Sequence, residues 1–115
     1  MSTTEASAGA AGLFSADLRI GVVVKVEAFP QARRPAWKIG VDFGPDHGVL
    51  WTSAQATNYA EQDLLGRQVV GALNVGTKRI AGFVSQFLLL GAFDGVGSLS
   101  LLCPDREVEP GAKVL

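Results

Sequence analysis

The chain has 115 residues, with 10 lysines and arginines against 11 aspartates and glutamates, and 48% of its residues are hydrophobic. A disordered chain would contain fewer apolar residues and more charge, and a protein that binds nucleic acid through its overall charge would be strongly basic. The apolar content excludes the first class and the net charge of -1 excludes the second, so any polyanion has to be bound by a local arrangement of cations.

The cysteine count and the hydropathy pattern indicate the cellular compartment of the protein. Cys103 has no second cysteine with which to form an internal disulfide, which is typical of a reducing compartment. No apolar run reaches the roughly 18 residues that a membrane span needs. Residues 1–12 lack the basic and apolar regions of a secretory signal. We therefore expect a cytoplasmic protein without membrane insertion.

The N-terminal part divides into a tail and the start of a single domain. Residues 1–12 are mostly serine, threonine, alanine and glycine, and we expect them to be disordered. The domain is predicted at 13–115. Its first strand, at 18–28, has an apolar residue at every even position, which predicts one buried face. Gly21 within it predicts a bend, as a tightly curved sheet requires.

A hairpin and a short helix follow the first strand. Strands are predicted at 37–43, with Trp37 facing the core, and at 49–53, and the turn residues 44–48 join them. Residues 60–65 read as a short helix because Gly66 provides a C-terminal stop.

Two further strands complete the pattern, at 68–73 and at 84–90, separated by a loop at 74–82. Residues 98–102 are a candidate edge strand before an extended tail. Three strands, a short helix and two strands form the order of the five-stranded Greek-key barrel called the OB-fold, which we predict with terminal extensions. A β-sandwich is the main alternative, but it usually needs more strands.

The residues with catalytic or metal-binding chemistry are few and scattered. A structural zinc site needs four Cys or His ligands at short spacings, whereas this chain has one of each. His47 lies in a turn without a partner to orient it as a base. Cys103 follows two leucines and is predicted to be a small buried apolar residue. We expect no enzyme, no metal site and no cofactor.

The basic residues are distributed more informatively. Two stretches contain cations and no acidic residue, one between Glu27 and Asp42 and one between Asp63 and Asp94. Their cations are Arg33, Arg34 and Lys38 in the first and Arg67, Lys78 and Arg79 in the second. OB-folds bind nucleic acid with cations on phosphates and aromatic rings on bases. Trp51, at the end of the third strand, fits the core and a binding face equally well.

Several short motifs in a fixed order resemble the tRNA-binding domain family, which includes the endothelial monocyte-activating polypeptide II group and appendages of aminoacyl-tRNA synthetases. The opening motif is at 17–27, and the second signature is at 74–83 with Ser85. Three further motifs, at 27–33, 53–55 and 101–105, resemble the CsaA-like group of that family. The resemblance covers residues 13–114.

The resemblance implies a homodimeric OB-fold that binds tRNA, with the terminal segments of each chain helping to join the two barrels. The positions that it implies for contacts with RNA are Arg33, Asn74, Lys78, Arg79 and Ser85. It also implies an alternative role, that of an export-related chaperone for unfolded polypeptides. A third hypothesis is docking of the OB-fold onto another protein in an assembly.

The chain departs from the family pattern at four positions. The family commonly has a basic residue at the position of Val84, a glutamate at that of Gln86, and more polar residues at those of Leu50 and Trp51. The loss of a cation weakens the RNA hypothesis, and the gain of apolar surface favours polypeptide binding. The candidate polypeptide-binding residues are Phe29, Trp51 and Phe83.

Overall fold

The structure is a computed structural model that describes residues 15–115. The predicted tail at 1–12 and the first two residues of the predicted domain lie outside this range. The described part contains nine strands and one helix. They are β1 (Leu18–Ala28), β2 (Trp37–Asp42), β3 (Val49–Ala54), α1 (Glu61–Leu64), β4 (Gln68–Ala72), β5 (Lys78–Ile80), β6 (Phe83–Ser85), β7 (Leu88–Leu89), β8 (Gly91–Phe93) and β9 (Leu99–Leu101).

Five antiparallel strands form a nearly closed barrel in the order β3-β2-β1-β4-β7. The long β1 pairs with β4 through its first half and with β2 through its second half. The chain then returns to β3, where the backbone N–H of Gln86 donates to the carbonyl of Trp51 at 2.7 Å. With α1 between β3 and β4, this arrangement confirms the predicted OB-fold.

The prediction of one alternating buried face along β1 is wrong. Val23 is 2% exposed whereas Val24 is 39% exposed, although Val24 belongs to the apolar even positions. The pairing of β1 with β2 shifts register between Val23 and Lys25, which marks a β-bulge. The extra residue of the bulge reverses which side chains point towards the core, at the point where β1 passes from β4 to β2.

The predicted loop at 74–82 and the predicted strand at 84–90 also need correction. Residues of both form a hairpin of β5 and β6, and β7 is a separate short strand. The hairpin turns at Ala81 and Gly82, whose φ angles of 48° and 83° are typical of a tight two-residue turn. The strand breaks at Gln86, where the backbone bonds to β3 instead.

The core lies inside the barrel, and Phe43 is at its centre. The rings of Phe43 and Phe87 meet edge to face with centroids 4.9 Å apart. A Cβ on Gly21 or Gly71 would lie 2.8 Å or less from the Phe43 ring, so these strands lack side chains where the ring passes. Trp37 packs against the core as predicted. The other core residues are Val23, Val26, Ile39, Val41, Leu64, Val69 and Leu101.

The C-terminal segment is held against β1 by backbone hydrogen bonds. The N–H of Gly111 donates to the carbonyl of Ile20 at 2.7 Å, and the N–H of Ile20 donates to the carbonyl of Ala112 at 2.9 Å. Gly111 has φ 92°, and a Cβ there would lie 2.5 Å from the carbonyl oxygen of Phe43. Only glycine fits this close approach.

We expect Gly111→Ala to destabilise the fold by about 1–2 kcal/mol more than Gly97→Ala does. Gly97 is the matched control because its φ is 86° and its missing Cβ would meet open space. Both variants carry the strain of a positive φ, so their difference isolates the contact with Phe43. Urea denaturation of the two variants measures this difference, and equal midpoints would contradict it.

Candidate functional site

Two loops meet at one end of the barrel. The first loop, residues 29–36, joins β1 to β2, and the second is the β5–β6 hairpin at 78–85. Phe29 of the first loop is 4% exposed, and its ring meets that of Phe83 edge to face at 5.5 Å between centroids. The Lys38 ammonium lies 4.8 Å from the Phe29 centroid and 5.2 Å from that of Phe83. This cation–π arrangement fixes the two loops against each other.

A groove of about 720 Å³ lies on the outer face of the barrel beside this contact, and we call it the Trp51 groove. Its lining combines aromatic, charged and amide side chains. They are Glu27, Gln31, Lys38, Trp51, Phe83, Val84 and Gln86, together with Ala81 and Gly82.

Trp51 faces this groove and not the core, which decides the question that the sequence left open. It pairs across the sheet with Gly40, and a Cβ at Gly40 would lie 3.1 Å from the indole ring. The ring therefore covers the bare backbone of β2. The Trp51 backbone is held by Gln86, whose Oε1 accepts a hydrogen bond from the Trp51 N–H at 2.9 Å.

A second groove, the Arg33 groove, has a volume of about 490 Å³ and lies between the first loop, the end of β3 and residues 88–93. Arg33 and Arg34 line one side of it, and Ile80 of β5 lines another. Lys78 shares a face of β5 with Ile80 because side chains alternate along a strand. The apolar part of the lining includes Ile80, Leu88, Leu89, Leu90, Phe93 and Leu99.

Three of the predicted RNA-contacting residues are exposed cations of the first loop and the hairpin, and of these Arg33 lines the Arg33 groove. They are Arg33 in the first loop and Lys78 and Arg79 in the hairpin. Within residues 15–115 none of the three forms an ion pair, since the salt bridges there are Arg19–Asp17 and Arg106–Asp105. Arg79 donates to the carbonyl of Gly82 at 3.3 Å. Their charges are thus available to an anion.

The other two predicted RNA-contacting residues form hydrogen bonds with other groups of the protein. Asn74 Oδ1 accepts from the Asp17 N–H at 2.7 Å, and Asn74 Nδ2 donates to the Ser15 carbonyl. Ser85 is 9% exposed, and its hydroxyl lies 2.8 Å from that of Thr52. Both side chains stabilise the barrel where the loops leave it, and we do not include them among the groups proposed to meet RNA.

The cations of the two acid-free stretches do not all come together. Arg67 lies elsewhere, with its guanidinium 5.1 Å from the Tyr59 ring centroid and 3.7 Å from the Cys103 sulfur. The prediction that Cys103 is buried is wrong, because the segment after β9 runs along the surface and leaves the thiol exposed. No group of His, Cys, Asp and Glu in residues 15–115 could hold a metal ion.

The predicted polypeptide-binding residues occupy two environments. Trp51 and Phe83 line the Trp51 groove. Phe29 is buried, and its ring packs edge to face against that of Phe83. The sequence hypotheses did not include Glu27, Gln31, Lys38 and Gln86 among the site residues. The alternation of Glu27 with buried Val26 and of Lys38 with buried Ile39 is the signal that places both on the outer face.

The sequence of residues 18–113 matches the model of a family described as "Putative tRNA binding domain". The methionine–tRNA ligases of Pyrococcus furiosus and Methanocaldococcus jannaschii are 40% and 32% identical to the chain over 98 residues. These matches cover 85% of the chain but only 13% and 15% of the two ligases. The chain thus spans a small part of these relatives.

Two solved structures match the whole chain. The crystal structure of the CsaA chaperone protein from Picrophilus torridus is 36% identical, with a TM-score of 0.86 and coverage of 100% of both chains. That of chaperone CsaA from Bacillus anthracis is 39% identical, with a TM-score of 0.85 and coverage of 100% of this chain and 99% of that one. Among the described residues, no helix is long and apolar enough to cross a membrane.

Proposed function

The chain belongs to the tRNA-binding domain family, and we propose that it binds tRNA through a surface formed by the first loop and the β5–β6 hairpin. The observation that carries this proposal is the contact between Phe29 and Phe83, with Lys38 over both rings. This contact holds the loop with Arg33 against the hairpin with Lys78 and Arg79. It supports a single basic surface in a chain whose net charge is -1.

The chemistry of this surface suits the backbone of a folded RNA. Arg33, Lys78 and Arg79 are proposed to neutralise phosphates, and Trp51 and Phe83 offer rings for unstacked bases. We propose a binding role in the cytoplasm without catalysis. Because few cations take part, the affinity is expected to be modest and sensitive to salt.

Filter binding of tRNA across a salt series tests the proposal. Three neutralised phosphates correspond to a slope of roughly -2 to -3 in a plot of log K against log salt concentration. An absence of binding at low salt, or binding that salt does not weaken, would overturn the proposal.

We also propose that the protein is a homodimer. Leu88 and Phe93 are 53% and 65% exposed and both border the Arg33 groove. Such apolar surface is typical of an interface between chains. Light scattering after size-exclusion chromatography should give twice the chain mass of 12.0 kDa. The mass of a single chain at all concentrations would contradict the dimer.

A second candidate function is the binding of unfolded, pre-export polypeptides in the Trp51 groove. The observation that favours it is that Trp51 and Phe83 both present partly exposed rings to one groove. Two structures that match the whole chain are those of proteins named chaperones. If this function holds, Trp51→Ala should weaken suppression of the aggregation of a denatured client at least severalfold.

Light scattering of the client during dilution from denaturant measures this effect. Val96→Ala is the control, because Val96 is 88% exposed and does not line the groove. No suppression by the unmodified protein at several-fold excess would exclude polypeptide binding.

A further inference from the structure

The Trp51 groove contains a flat aromatic platform with a second ring at its side. The Cε2 and Cζ2 atoms of the Trp51 ring lie over Gly40, so the backbone of β2 supports the ring. Two hydrogen bonds with Gln86 hold the Trp51 backbone in place. Phe83 is positioned from the hairpin by Phe29 and Lys38. A planar ligand that stacks on the indole would thus meet a preformed surface.

One of the polar groups that line the groove beside this platform is a carboxylate. Glu27 on β1 is exposed, lines the groove and lies opposite Lys38 in the pairing of β1 with β2. Within the described residues Glu27 takes part in no salt bridge, while the Lys38 ammonium lies over the rings of Phe29 and Phe83. Its two oxygens are therefore free to accept hydrogen bonds from a ligand.

A carboxylate in this position disfavours some ligands and favours others. Its oxygens accept hydrogen bonds and donate none, so Glu27 suits the donor edge of a base and not a phosphate oxygen. Glu27 and Trp51 lie on strands separated by β2, and their partners on β2, Lys38 and Gly40, are two residues apart, so their Cα atoms lie roughly 12 Å from each other. This separation lets a base stack on the ring of Trp51 with its hydrogen-bonding edge towards Glu27.

We infer that the Trp51 groove is a subsite for one unpaired guanine of the bound RNA. The inference rests on the proposed tRNA-binding function. Guanine is the standard base whose Watson–Crick edge carries two adjacent donors, N1–H and the exocyclic N2 amine. An ionised carboxylate has two oxygens that accept both hydrogen bonds side by side. Uracil, cytosine and adenine each present an acceptor at one of these places, which the carboxylate repels.

The amides of Gln31 and Gln86 complete the polar rim of the groove. The Oε1 atom of Gln86 accepts the hydrogen bond of the Trp51 backbone N–H, so the amide nitrogen of Gln86 remains as a donor. This protein donor suits the O6 acceptor of guanine, which lies next to the two donors of the base that are proposed to bind Glu27. The rim therefore agrees with the same base.

Labelled pentaribonucleotides test this subsite by fluorescence anisotropy on the full chain. The probes are UUUUU and three variants of it, UUGUU, UUIUU and UUAUU, in which I is inosine. Inosine lacks only the N2 amine of guanine. We expect the guanine pentamer to bind about tenfold tighter than the inosine one, and the uracil and adenine pentamers to bind more weakly still.

Two variants assign the preference to its residues. Glu27→Gln should bring the ratio of guanine to inosine affinity close to one, while the exposed Glu107→Gln should leave it unchanged. Trp51→Ala should weaken all pentamers about tenfold through the loss of stacking, and Trp51→Phe should restore part of the loss. Unchanged thermal midpoints show that the variants fold.

The outcomes separate this inference from the proposed function. Salt-sensitive tRNA binding without a guanine preference would overturn the subsite and leave the proposed function intact. A guanine preference that survives Glu27→Gln would likewise overturn it. A third outcome is that neither tRNA nor any pentamer binds, whereas a denatured polypeptide binds in a way that depends on Trp51. This outcome would overturn both the subsite and the proposal of tRNA binding.

Discussion

The double variant Arg33→Ala/Lys78→Ala should bind tRNA about tenfold to fiftyfold more weakly at low salt than the unmodified protein. Arg33 and Lys78 are exposed, and each is proposed to neutralise a phosphate from a different loop. Removal of two phosphate contacts should also reduce the slope of log K against log salt concentration by about two. Filter binding across a salt series measures both quantities. Arg79 is left in place because it bonds to the turn of the hairpin.

The matched control is Arg106→Ala/Lys113→Ala, which removes the same two residue types and the same charge. Both residues are exposed and lie outside the two grooves. If tRNA binding depended on net charge alone, the two double variants would lose affinity equally. That result would contradict a local surface formed by the first loop and the hairpin.

Phe43→Ala should lower the free energy of unfolding by about 3–5 kcal/mol. Phe43 is fully buried, and its ring fills the space that Gly21 and Gly71 leave open and packs on Phe87. The variant leaves a cavity that the surrounding strands cannot close, because their own side chains are held in register. This is a large share of the stability of a small domain.

Urea denaturation followed by circular dichroism measures the change. Val96→Ala is the control, since Val96 is 88% exposed and should change stability by about 0.5 kcal/mol or less. Phe43→Leu should have an intermediate effect because it refills part of the space. A loss of less than about 1 kcal/mol for Phe43→Ala would contradict the central position of this ring.

The strands that pair along their full length could be predicted from the sequence, and the irregular ones could not. The bounds of β1 follow from its long apolar pattern. The bulge near Val24 arises because β1 serves β4 and then β2, a requirement of closure that a local pattern does not contain. The hairpin turn at Ala81 and Gly82 lacks the Asn-Gly or Asp-Gly pair that usually marks one.

The candidate site divides in the same way. The exposure of the cations Arg33 and Lys78 could be predicted, because a charged side chain without an acidic partner stays in contact with water. The family motif includes Ser85 but does not say which way it faces, and the pairing with Thr52 turns its hydroxyl inwards. The arrangement of Lys38 over two rings depends on a contact between residues distant in sequence.

The mapping of tRNA binding by NMR on the ¹⁵N-labelled protein tests the central claim most directly. The claim is that the first loop and the β5–β6 hairpin form one RNA-binding surface. The backbone amides of residues 31–34 and 78–84 should shift together along a single titration curve, while those of residues 105–109 stay in place. Shifts confined to one loop, or centred on residues outside both, would contradict the account.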